Sequence, residues 1–114
     1  MRLSKVREIL EATVLCGETH LDQEVQSACG ADLMSDVLAF SEDKDRSILL
    51  TGLLNPQIVR TAEMMDMCAI VVVRGKSPDE QIVQLAEEKG IVLMTTERHM
   101  YTACGELYSH GLRR

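Results

Sequence analysis

Residues 69–78, Ala69-Ile70-Val71-Val72-Val73-Arg74-Gly75-Lys76-Ser77-Pro78, carry an aliphatic run straight into a Gly-Lys-Ser triplet and a proline. The run is too uniform for a half-exposed strand and predicts a sheet element covered on both faces. The triplet raises the question of a phosphate-binding loop. A Walker-type loop needs a glycine five positions before its Gly-Lys-Ser, because the intervening backbone amides must wrap a phosphate. Here that position is Ile70, inside the strand, which leaves no room for the loop. Pro78 also pushes Ser77 toward an extended conformation, away from the helical turn where a loop serine would reach a metal ion. Ser77 is therefore expected as a helix N-cap, with Pro78 as the first helical residue.

Two further aliphatic runs flank this one, Ser47–Gly52 and Ile91–Thr95, their starts spaced about 22 residues apart. Amphipathic segments separate the runs. One opens at Asn55-Pro56, a cap followed by a helix-initiating proline, and carries Ile58, Val59, Ala62 and Met65 inward. The next opens at Ser77-Pro78-Asp79-Glu80, places Ile82, Leu85 and Ala86 on one face, and stops at Gly90. A third begins near Thr96, with Met100, Ala103, Cys104 and Leu107 as its stripe and Gly111 as its stop. This βαβαβα alternation predicts a mainly parallel sheet in the last two thirds of the chain, in a two-layer or three-layer α/β domain. Upstream, Leu3, Val6, Ile9 and Leu10 predict a short N-terminal helix, with short strands in Thr13–Gly17 and Glu24–Ala31. Asp32 is expected to cap a helical turn over residues 33–40.

In such a sheet the strand C-termini and the following helix N-termini share one edge, where free amides favour anions. That edge collects Thr51, Gly52, Asn55, Arg74, Gly75, Lys76, Thr95 and Thr96 as candidate ligand-binding residues. The competing reading is that the hydroxyls and Asn55 cap helices and the two cations are solvated loop charges.

At 114 residues, with no linker composition, the chain is expected to form one domain over residues 1–114. Aromatics make up only 3%, so the core must be aliphatic and methionine-rich, with little stacking surface for bases. A net charge of −6 without a basic stripe argues against nucleic-acid and anionic-membrane partners. The N-terminus lacks the continuous apolar run of a signal peptide, and no apolar stretch is long enough to span a bilayer; a cytoplasmic location is expected. Cys16, Cys29, Cys68 and Cys104 contain no C-x-x-C pair and are expected as buried small hydrophobes, so that no metal and no cofactor is predicted. His20, His99 and His110 do not sit at predicted strand ends, which leaves no Ser, His and Asp set and no catalytic residue to name. The acidic run at residues 41–45 lacks the glycine and bidentate glutamate of a calcium loop.

Asp45-Arg46 followed by the aliphatic run at Ser47, the helix at Asn55-Pro56, and Val73-Arg74-Gly75 with Pro78 resemble the DRTGG domain family. The resemblance extends from the first helix to the last and is densest over residues 45–100. The Asp-Arg pair of the family's name falls on Asp45 and Arg46; its Thr-Gly-Gly falls on Val73-Arg74-Gly75, where only Gly75 is kept. The resemblance implies a regulatory or interaction module without catalysis, similar to accessory parts of phosphotransacetylases and of CBS-containing pyrophosphatases and to the N-terminal module of HPr kinases. It also implies a homodimer, a partner enzyme to regulate or scaffold, and, as the alternative, a nucleotide or phosphorylated small molecule bound at the strand edge.

Overall fold

The computed structural model describes residues 1–40 and 46–113. The chain runs α1 (Leu3–Leu10), β1 (Thr13–Cys16), a 3-10 turn (Glu18–His20), β2 (Ser27–Gly30), α2 (Met34–Phe40), β3 (Ser47–Thr51), α3 (Gln57–Met64), β4 (Ala69–Val72), α4 (Glu80–Glu88), β5 (Val92–Thr95) and α5 (Met100–Ser109). The five strands form one sheet in the order β1-β5-β4-β3-β2. Strands β2 to β5 pair in parallel, and β1 adds antiparallel to β5 with a register shift between Val14 and Cys16. The expected mainly parallel α/β sheet is thus present, and the layering resolves to three.

Alternation of side chains along the strands divides the core into two. Ile48, Leu50, Val71 and Met94 face α1 and α5 on one side. Leu49, Ile70, Val72 and Leu93 face α2, α3 and α4 on the other. All four residues of β4 are fully buried, as the uniform run predicts. Helices α2, α3 and α4 follow successive strands and cover one face; α5 crosses to the opposite face and packs beside α1. Among the described residues no helix is long and apolar enough to cross a membrane.

Several local expectations shift. Helix α4 starts at Glu80, and its N-cap is Asp79, whose Oδ1 accepts from Ile82 N at 2.9 Å. Ser77 and Pro78 remain ahead of the helix, where Thr95 Oγ1 donates to the Lys76 carbonyl at 2.7 Å. Both residues are good caps, and the Thr95 bond holds the Lys76 carbonyl outside the helix, which leaves the cap to Asp79. Helix α5 likewise starts at Met100 behind His99, four residues beyond Thr96. Asp32 does not cap α2; its carboxylate crosses to the neighbouring strand ends. At α3 the Asn55 side chain is engaged as expected, its Oδ1 accepting from Gln57 N at 2.9 Å, while the helix itself begins at Gln57 with Pro56 in the N-cap position, one residue later than expected.

Two glycines test the backbone directly. Gly17 has φ of 87°, and a Cβ there would lie 2.9 Å from Val92 Cα; Gly90 has φ of 69° with nothing within 4 Å of that position. Gly90→Ala is expected to cost about 1 kcal/mol, the left-handed conformation alone. Gly17→Ala adds a backbone clash against β5 and is expected to cost roughly 3 kcal/mol or more. Urea unfolding of the two variants checks both values and their order.

Candidate functional site

The candidate site lies at the C-terminal edge of the parallel strands. Past the end of β4 the backbone amides are already engaged: Val73 N donates to Thr51 O at 3.0 Å, Arg74 N to Arg98 O at 2.7 Å and Gly75 N to Thr96 O at 2.9 Å. Arg74 and Gly75 both adopt left-handed conformations, each with φ of 67°. The turn is thereby tied to the loop after β5, and these amides form no open phosphate cradle.

What gathers at this edge is a network of side chains around Gly52. Asp32, just beyond β2, accepts from Gly52 N on Oδ1 at 2.6 Å and from Arg74 Nη2 on Oδ2 at 3.1 Å. Thr51 Oγ1 lies 3.4 Å from the same Oδ1 and accepts from Leu53 N at 3.1 Å. On the other side of Gly52, Lys76 Nζ donates to its carbonyl oxygen at 2.8 Å. A Cβ at Gly52 would lie 3.3 Å from Asp32 Oδ1 and 3.4 Å from Arg74 Nη1, so the missing side chain is what lets both charges approach. The Gly52 amide donating to it, together with the adjacent Arg74 guanidinium, holds the Asp32 carboxyl below its ordinary pKa.

Of the eight residues expected at the edge, Thr51, Gly52, Arg74 and Lys76 are brought into this network, and Thr95 joins through the Lys76 carbonyl. Gly75 backs onto the Glu97 carboxylate. Asn55 caps α3 and borders a groove of about 490 Å³ between α2 and α3, whose wall also includes Asp32, Leu33, Leu38, Leu53 and Thr61. Thr96 turns away: it is buried, donates to Leu10 O at 2.7 Å and accepts from Arg98 N at 3.2 Å. Arg46 lies at the opposite edge of the sheet, ahead of β3, hydrogen-bonded to the Gln23 side chain; Asp45 lies outside the described residues. Arg46 and Gly75 therefore do not meet in one site.

Asp32 and Glu97 are the residues that sequence reasoning missed. Asp32 follows a strand just as Thr51 and Arg74 do, and the strand-end rule would have included it once β2 was placed parallel to β3. Chemically, the network sets two cations against one carboxylate: Asp32 answers Arg74, while Lys76 is held by a neutral carbonyl. Among the described residues no group of three His, Cys, Asp or Glu side chains converges. Burial pushes all four thiols above their ordinary pKa, which keeps them protonated and weakly nucleophilic. The run at residues 41–45, considered above as a calcium loop, lies outside the described residues.

The sequence profile of the DRTGG domain matches residues 5–109. No curated protein matches the chain. Among solved structures, the CBS and DRTGG domains of the regulatory region of Clostridium perfringens pyrophosphatase, complexed with the activator diadenosine tetraphosphate, superpose with a TM-score of 0.68 at 18% identity. The superposition covers 93% of this chain and 45% of that one, so the chain spans less than half the length of that structure. The likeness is one of fold.

The lowered pKa of Asp32 has a thermodynamic consequence. A carboxyl whose folded pKa is depressed stabilises the fold above its unfolded pKa, and that contribution is lost as pH falls through the folded value. Asp32→Asn is therefore expected to lower Tm at pH 7, with the gap to the parent protein closing as pH falls below the ordinary carboxylate range of about 4. Thermal melts of both proteins from pH 7 to pH 3 check this.

Proposed function

The chain belongs to the DRTGG domain family, and on that premise we propose that it is a non-catalytic regulatory or interaction domain, cytoplasmic and homodimeric, that modulates or scaffolds a partner enzyme. The observation that carries the reading is the apolar surface left uncovered on a small α/β domain. Leu33 is 59% exposed, Leu38 44%, Leu54 39% and Met64 71%, all on or beside α2 and α3. Exposed apolar side chains on neighbouring elements are what a partner surface would cover, which supports the interaction reading. The related fold in the pyrophosphatase belongs to a regulatory region, which supports the same class of role. Light scattering at micromolar concentration is expected to give about twice the 12.7 kDa chain mass; a monomer mass removes the homodimer.

The groove beside Asp32 favours a second reading, a sensor for a nucleotide or phosphorylated metabolite. Thr51, Gly52, Asn55, Arg74, Gly75, Lys76 and Thr95 would supply its polar contacts and Leu33, Leu38 and Leu53 its apolar wall. Thr96 leaves the set because its hydroxyl is engaged by Leu10. The pyrophosphatase regulatory region that contains a domain of this fold beside CBS domains is complexed with diadenosine tetraphosphate, which supports looking for a nucleotide-type ligand. A ligand at one hundred times its dissociation constant adds about 2.7 kcal/mol to stability. A thermal-shift panel of nucleotides is expected to reveal one such ligand, and Arg74→Ala combined with Lys76→Ala to abolish the shift; a flat panel removes the sensor.

A further inference from the structure

Asp32 makes the contacts that a bound oxyanion would make. One oxygen takes a main-chain amide and faces a hydroxyl, the other takes a guanidinium, and the glycine beneath leaves the space open. These are the donors that recognise phosphate and carboxylate groups in general. We propose that the Asp32 carboxylate is an internal stand-in for a phosphoryl ligand, and that such a ligand binds by displacing it from the Gly52 amide and Arg74. The inference rests on the sensor reading and gives that site its ligand class and its means of control.

Three features make displacement feasible. The pair is open to solvent, with side-chain exposures of 42% for Arg74 and 48% for Asp32, and exposed pairs of this kind are held weakly. The backbone that carries the donors is held independently of Asp32: Arg74 N and Gly75 N are fastened from behind to Arg98 O and Thr96 O, and the Gly52 carbonyl is held by Lys76 Nζ. The groove between α2 and α3 opens directly beside the carboxylate, with Leu33, Leu38 and Leu53 to receive the body of a ligand whose phosphoryl group takes the Asp32 position.

Displacement also has somewhere to lead. Asp32 lies two residues ahead of α2 and ties it to the ends of β3 and β4, and the exposed Leu33, just ahead of α2, and Leu38, within it, lie close to that tie. Releasing Asp32 frees the start of α2 and alters the apolar surface there. Ligand and partner would thereby compete or cooperate through one helix end, a coupling that needs no motion of the sheet.

The test is calorimetric titration of inorganic phosphate into the parent protein, Asp32→Ala, Asp32→Asn and Asp32→Ala with Arg74→Ala, with sodium chloride at matched ionic strength as the screening control. Asp32→Ala is expected to bind phosphate at least tenfold more tightly than the parent. Asp32→Asn, which keeps an acceptor for the Gly52 amide but loses the charge, should fall between them, and the double variant should lose the gain. Circular dichroism melts establish that each variant is folded. If Asp32→Ala does not fold, the Asn variant decides by the same comparison. In the parent protein, saturating phosphate should move the amide proton resonance of Gly52 and the Nε proton of Arg74 together, and chloride should move neither. Equal phosphate affinity in the parent and the folded Asp32 variants overturns the proposal, as does a gain that survives removal of Arg74. The two readings fail separately. A nucleotide that binds the parent without any gain in the Asp32 variants leaves a sensor without displacement; a phosphate gain with a flat nucleotide panel leaves the displaceable carboxylate without a nucleotide sensor.

Discussion

The fold depends on β4 having no face that tolerates water. Ala69, Ile70, Val71 and Val72 are fully buried, two pointing to each side, and the sheet is stable only if helices cover both. That requirement sends α2, α3 and α4 to one face and brings α5 to the other, where α1 completes the cover. It also keeps the strand interior free of loops. The Gly-Lys-Ser triplet therefore emerges at the sheet edge already fastened by its neighbours, and the edge chemistry is built from side chains instead of a backbone cradle.

At that edge the arrangement is a balance of charges around a glycine. Lys76 holds the Gly52 carbonyl, Asp32 holds its amide, and Arg74 answers Asp32. Asp32 is engaged by Gly52 and Arg74, the Glu97 carboxylate lies against Gly75, and the thiols are held protonated by burial. The same geometry is suited to recognition, because its components are individually weak and reachable from solvent.

Much of this was legible in the sequence. The three aliphatic runs, the Asn55-Pro56 helix start and the Gly90 stop are local signals, set by burial and by single-residue backbone preferences; the runs and the stop appear where expected, and the helix starts one residue past Pro56. The choice of Asp79 over Ser77 as the cap was less accessible, since both are good caps and the neighbouring Thr95 bond decides. Residues joined across long stretches of chain were not legible. Asp32 meets Arg74 only because β2, β3 and β4 lie side by side, and Thr96 leaves the edge only because Leu10 offers it a carbonyl. Nothing local distinguishes β1 from its parallel neighbours, although it runs the opposite way.

The placement of β1 has a kinetic side. The first strand pairs with the last, α1 packs on α5, and the Thr96 hydroxyl reaches back to Leu10. During synthesis α1 and β1 therefore wait for α5 and β5 until that distant segment has been made, although residues 21–25 already pair with the start of α1. Topologies dominated by such distant pairings assemble slowly, because closing a long loop precedes the contacts that reward it. The final closure of this sheet thus waits for β5, and a chain truncated before β5 would leave β1 without the strand it pairs with.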